Sequence, residues 1–122
     1  MEIIYEISGN TLVAGLFGEM DHHGAERVRR DIDEMMETYE ARHLVFDFSK
    51  VTFMDSAGIG IVLGRYKKLN PEGGCVVITQ CSQKILTILN MAGVFSIMKY
   101  MESKQEALEY LQRKEVAEWK ER

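Results

Sequence analysis

The sequence predicts an α/β fold: a small, mixed but mostly parallel sheet of four to five strands with about four helices packed on it. Three observations carry this expectation. Short β-rich runs alternate with amphipathic segments of ten or more residues, the pattern of crossover units between parallel strands. The first two runs, residues 2–7 and 11–17, are separated only by the turn cluster Ser8-Gly9-Asn10, which makes a hairpin and adds an antiparallel strand. The length, 122 residues, suits a single domain that buries about two-thirds of its unfolded surface.

The elements follow in order. Ala25, Val28, Ile32, Met35, Met36 and Tyr39 recur at three- and four-residue steps, with Glu26, Arg30, Asp33, Glu34 and Glu37 between them. They form one amphipathic helix, for which Asp21 is the candidate N-cap. Residues 44–48, Leu-Val-Phe-Asp-Phe, read as a buried strand. Residues 56 to 69 read as a helix that ends before Asn70-Pro71 and Gly73-Gly74. Residues 75–78 make another short buried strand, and Ser82 caps a helix carrying Ile85, Leu86, Leu89 and Ala92, closed by Gly93. Residues 95–100 supply a last strand. Ser103 and Glu106 form a capping box that opens a helix through Ala107, Leu108 and Leu111, with Val116 and Trp119 extending it. The expected organisation is one domain over residues 1–112 and a charged tail, 113–122, continuing the last helix.

Composition excludes several function classes. A net charge of −4 leaves no basic footprint for nucleic acid or an anionic membrane. Arg27, Arg29 and Arg30 cluster, but Asp31, Asp33 and Glu34 follow them at once, which reads as a solvated helix face. Cys75 and Cys81 are spaced neither as a redox pair nor as a zinc ligand set and are expected to be reduced thiols. The N-terminus lacks the basic-then-apolar pattern of a signal peptide, and no run approaches the ~20 apolar residues of a membrane span. The expected location is the cytoplasm.

In open α/β sheets, sites gather beyond the carboxyl ends of strands, here residues 18–23 and 51–55. The second of these runs into Phe53-Met54-Asp55-Ser56-Ala57-Gly58-Ile59-Gly60, where a strand meets a glycine-threaded helix. A serine at that junction is a helix cap, a nucleophile or a phosphorylation site. Each glycine inside a helix costs up to ~1 kcal/mol relative to alanine, and Gly58, Gly60 and Gly64 fall within one two-turn stretch. Gly60 and Gly64 lie on the Ser56 face and form a bare track that admits another backbone, either a partner's or the protein's own sheet. The stripe Ile59, Val62, Leu63 and Tyr66 is expected to face the sheet, leaving Ile61, Arg65 and Lys68 outward on a docking surface. Catalysis is not expected: there is no G-x-S-x-G elbow, and His22 and His23 cannot both serve Ser56. No metal site is expected from Asp21, His22 and His23 for want of further ligands, and no nucleotide cofactor, since neither phosphate-loop motif is present.

The segments Gly18-Glu19-Met20-Asp21-His22-His23, residues 53–60, Leu63-Gly64-Arg65-Tyr66-Lys67 and Met91-Ala92-Gly93-Val94-Phe95 together resemble the STAS domain family of anti-anti-sigma factors. The resemblance covers the chain to about residue 112. It implies a STAS-like fold and a non-enzymatic switch in sporulation that binds an anti-sigma factor serine kinase and displaces the sigma factor. It further implies that the kinase inactivates the protein by phosphorylating Ser56 and that a serine phosphatase restores it. The implied partner surface comprises Asp21, His22, Asp55, Ser56, Gly58, Gly60, Ile61, Gly64 and Arg65. Ala57 stands where related proteins often carry a second serine. The alternative is a scaffold or signalling domain of the same fold, from another pathway, in which Ser56 is only a cap.

Overall fold

Gly9 takes φ +58° and, with Asn10, forms a two-residue loop that pairs Ser8 with Thr11. A glycine at the first central position is what the II′ hairpin turn needs, so Ser8, expected in the turn, stays in the strand. In the computed structural model, which describes residues 1–121, the hairpin strands are β1 (Glu2–Ser8) and β2 (Thr11–Met20). They lead into α1 (Ala25–Thr38), β3 (His43–Met54), α2 (Ser56–Leu69), β4 (Val76–Thr79), α3 (Gln83–Met91), β5 (Lys99–Met101) and α4 (Lys104–Lys120).

The strands form one sheet in the order β1-β2-β3-β4-β5, antiparallel between β1 and β2 and parallel elsewhere. Every crossover after β2 steps one strand in the same direction. Right-handed crossovers that always step one way put their helices on one face, so α1, α2 and α3 share it. There Val28, Ile32 and Met36, Ile61, Val62 and Leu69, and Ile85 and Leu89 pack on Leu12, Leu16, Leu44, Phe46, Phe48 and Ile78. The alternate residues Val13, Val45 and Val77 point to the opposite face and are covered by Ala107 and Leu111 of α4. The central strands are buried on both sides, which is why they read as continuous apolar runs.

Two caps stand where the sequence puts them: Ser82 accepts from the Ile85 N–H at 3.3 Å and Ser103 from the Glu106 N–H at 3.1 Å. Asp21 does not cap α1. The N-cap is Gly24, which offers no side chain, and the Asp21 carboxylate instead accepts from the His23 N–H at 3.0 Å, closing a turn within its own loop. The expected strand over 95–100 is reduced to Lys99–Met101, because Val94–Ser96 winds into a 3₁₀ turn. β3, by contrast, runs to Met54, with register shifts against β2 that let its polar second half stay paired.

Helix α4 continues to Lys120 and is tied down by polar contacts. The Glu115 carboxylate takes hydrogen bonds from His43 and from Arg42, the latter at 3.0 Å, and Glu118 lies 3.0 Å from Arg42. His43 is fully buried, and its Nδ1 accepts from the Cys75 N–H at 3.0 Å, so its Nε2–H is the donor to Glu115. Burial pushes the Glu115 carboxyl up, but hydrogen bonds from His43 and Asn10 and the Arg42 charge outweigh it and hold it below the usual range. Among the described residues no helix is long and apolar enough to cross a membrane.

Candidate functional site

The carboxyl ends of β2 and β3 lie side by side, with Met20 paired to Met54. The loop after β2 therefore meets the start of α2. Asp55 joins them. Its backbone is extended, its Oδ1 accepts from the N–H groups of Ala57 at 2.9 Å and Gly58 at 3.3 Å, and its backbone N–H donates to the Met20 carbonyl at 3.3 Å. The second oxygen, Oδ2, accepts from the His22 N–H at 3.1 Å and lies 3.2 Å from His22 Nδ1. A carboxylate only accepts, so Nδ1 carries the proton in this contact. Burial pushes the Asp55 carboxyl up, but the His22 side chain and the three backbone donors outweigh it and hold the group below its ordinary value.

This geometry reassigns the cap. Asp55, not Ser56, is the N-cap of α2, and Ser56 is the first helical residue, exposed to solvent. Its hydroxyl has no hydrogen-bond partner among the described residues, while the N–H groups of Ala57 and Gly58 are taken. Asp21, half-buried, and the exposed His22 and His23 form the adjoining rim, the two imidazoles 4.1 Å apart between centroids. His22 is bound to Asp55 and makes no hydrogen bond to Ser56, so no Ser-His pair is present among the described residues. Nor do three or more His, Cys, Asp or Glu side chains there converge as a metal cluster would require.

The three glycines divide. A Cβ on Gly58 would sit 2.5 Å from the Met20 carbonyl oxygen and 2.8 Å from Met54 Cγ, so this residue serves the close approach of α2 to the protein's own sheet. At Gly60 and Gly64 a Cβ would meet nothing within 4 Å, and the two form an open track behind Ser56. Because the Gly58 side must face inward, α2 is rotated from the expected phase. Ile61 and Arg65, expected on the docking surface, are 4% and 7% exposed, whereas Ile59, Leu63 and Tyr66 are only half-buried.

Arg65 is held 3.0 Å from Asp33 of α1, which also has Arg29 at 3.5 Å and Lys68 at 3.6 Å. Burial lowers the Arg65 pKa, and the Asp33 charge opposes that fall. Arg65 thus joins the two helices, and neither it nor the buried Ile61 is available to a partner. One neighbour of Ser56 was missed in the sequence: Phe53 is 38% exposed at the end of β3, with the Lys84 ammonium 5.9 Å from its ring centroid. An aromatic on the outward phase of the strand was the available signal.

A small mixed sheet with three helices on one face, a fourth on the other and an exposed serine opening the second helix defines a class. The STAS domain model matches residues 2–107, and the chain belongs to that family. It is similar to an anti-sigma F factor antagonist of Paenibacillus polymyxa, 34% identical over 112 residues that cover 92% of this chain and 96% of the relative. Among solved structures it is similar to the anti-sigma factor antagonist SpoIIAA in its unphosphorylated form, with a TM-score of 0.72 and 27% identity over 91% of this chain and 98% of that one. The Bacillus cell fate determinant SpoIIAA in the phosphorylated form gives a TM-score of 0.71 and 28% identity over 90% and 99%.

Proposed function

We propose that this protein is an anti-anti-sigma factor controlled by phosphorylation of Ser56. It binds an anti-sigma factor that is also a serine kinase, releases the sigma factor from it, and is switched off when that kinase modifies Ser56. A serine phosphatase reverses the modification. The setting is the cytoplasm of a sporulating cell, and residues 1–112 form the working domain. Support comes from the similarity to an anti-sigma F factor antagonist and from the existence of a phosphorylated form of the similar protein SpoIIAA.

The observation that carries the reading is the freedom of the Ser56 hydroxyl. Capping of α2 belongs to Asp55, so the serine is spared for chemistry. A phosphate there adds about −1.5 to −2 charges beside a carboxylate already fixed in place. The helix dipole tolerates that charge, but the N–H groups of Ala57 and Gly58 are occupied and cannot neutralise it. A partner surface matched to the unmodified rim of Asp21, His22, Asp55, Gly60 and Gly64 then meets a desolvated like charge, which costs several kcal/mol. The fold itself need not change.

Incubation with the cognate kinase and ATP, followed by mass spectrometry of the digested chain, is expected to place one phosphate on Ser56. Phosphate on another residue overturns the assignment. Ser56→Ala is expected to remain folded, bind the kinase and fail to be released by ATP.

A further inference from the structure

We propose that β1 is a self-association edge, through which two copies of this chain pair about a two-fold axis at Tyr5 to make a continuous ten-stranded sheet.

The two edges of the sheet differ. β5 is three residues long, whereas β1 is seven, pairs with β2 without a register shift and reads Glu-Ile-Ile-Tyr-Glu-Ile-Ser. Proteins blunt exposed edges with charged side chains, lysine above all, with proline, with bulges or with a covering element, and the only charges on β1 are Glu2 and Glu6. β1 contains no lysine, no proline and no bulge, and it leaves Ile4 60% and Ile7 40% exposed.

The hairpin fixes which backbone groups are free. In a two-residue hairpin the closing pair, Ser8 and Thr11, exchanges hydrogen bonds, and bonding then alternates along the ladder. Glu6, Ile4 and Glu2 therefore bond inward to β2, and the N–H and C=O groups of Ile3, Tyr5 and Ile7 point out of the sheet. Three consecutive outward pairs are enough to form an antiparallel ladder with another strand.

The occupant that this pattern fits is a second copy. With the axis at Tyr5, Tyr5 faces Tyr5 of the other copy, Ile3 faces Ile7, Ile4 faces Glu6 and Glu2 faces Ser8, so all seven residues are used and no like charges are opposed. Shifting the axis to Ile4 opposes Glu2 with Glu6, and shifting it to Glu6 opposes Glu6 with itself, both unfavourable. Glu6 enters the pairing already neutralised, with Lys104 Nζ 2.8 Å from its carboxylate. Arg27 of α1 donates to the Met1 carbonyl at the start of β1, so the two-fold sets this cation beside the Ser8 end of the other copy, where no basic residue of β1 stands. Ser56 follows β3, two strands in from this edge, and a dimer presents two such sites.

Light scattering on the full chain over a concentration series up to about 100 µM is expected to give a dimer, and Tyr5→Pro a monomer. The proline removes an outward N–H and leaves the inward bonds of Ile4 and Glu6 intact. Hydrogen exchange guards against a folding defect. In the dimer the Ile3, Tyr5 and Ile7 amides exchange at least about tenfold more slowly than on dilution to monomer, while Ile4 and Glu6 stay protected at both concentrations. A wild-type chain that remains monomeric at the top concentration overturns the proposal, as does a dimer that persists in Tyr5→Pro or one whose Ile3, Tyr5 and Ile7 amides are unprotected.

Discussion

Adding one methyl group at each of three glycines of α2 separates clearance kept for a partner from clearance the fold needs. At Gly58 a Cβ would lie 2.5 Å from the Met20 carbonyl oxygen, 2.8 Å from Met54 Cγ and 3.0 Å from Met20 Cβ. A backbone oxygen cannot swing aside as the end of a side chain can, so the start of α2 must move off the end of β2. Overpacking of this kind costs about 1–3 kcal/mol, and the ~1 kcal/mol that alanine gains in helix propensity offsets only part of it. Gly58→Ala is expected to lose about 1–2 kcal/mol and to loosen the hydrogen bond between Asp55 and the residue-58 amide. At Gly60 and Gly64 no atom lies within 4 Å of a Cβ, so alanine keeps its propensity gain there. Gly60→Ala/Gly64→Ala is expected to be more stable by about 1–2 kcal/mol, raising the melting temperature by several degrees.

The same double variant carries two methyl groups on the track proposed to admit the partner. Its affinity for the anti-sigma factor is expected to fall by at least about tenfold, or ~1.4 kcal/mol. Urea denaturation and isothermal titration on one set of samples measure both effects. Wild-type affinity in the stabilised double variant refutes the docking role of the track. Destabilisation at Gly60 equal to that at Gly58 refutes the assignment of inner and outer faces.

The remaining predictions concern charge. Asp33→Ala strands the buried Arg65 guanidinium and is expected to cost about 3 kcal/mol in urea denaturation, whereas Arg65→Met leaves Asp33 with Lys68 and Arg29 and costs less; equal losses would contradict the asymmetry. The Asp55 carboxyl is held below its unfolded value, so its contribution to stability is complete above about pH 4 and is lost as pH falls through the lower folded value. Asp55→Asn is therefore expected to melt below wild type at neutral pH, with the difference narrowing in acid; a gap that widens in acid would reverse the sign of this account.

Much of this architecture was legible in the residues because local signals agreed with tertiary ones. The Gly9 turn, the 3.6-residue period of α1 and the serine caps of α3 and α4 each depend on a few neighbouring side chains. What was not legible depends on contacts distant in sequence. The phase of α2 is set by Gly58 meeting Met20, and a helix with apolar residues around most of its circumference gives no local cue to that choice. The cap passed from Ser56 to Asp55 for a similar reason. Both residues are good caps in isolation, and the His22 loop, 33 residues away, adds two contacts to the carboxylate. β3 outran its apolar core because β2 continues beside it to Met20. The place of Ser56 between strand and helix was legible, but two of the residues expected on the surface beside it, Ile61 and Arg65, are buried.

The central claim rests on one hydroxyl, and the direct measurement is the affinity of the proposed anti-sigma factor kinase for this protein with and without phosphate on Ser56. Titration of both forms under one set of conditions, with circular dichroism to confirm equal folding, is expected to show binding weakened by at least about 100-fold in the phosphorylated form. Equal affinity in two equally folded forms would contradict the account.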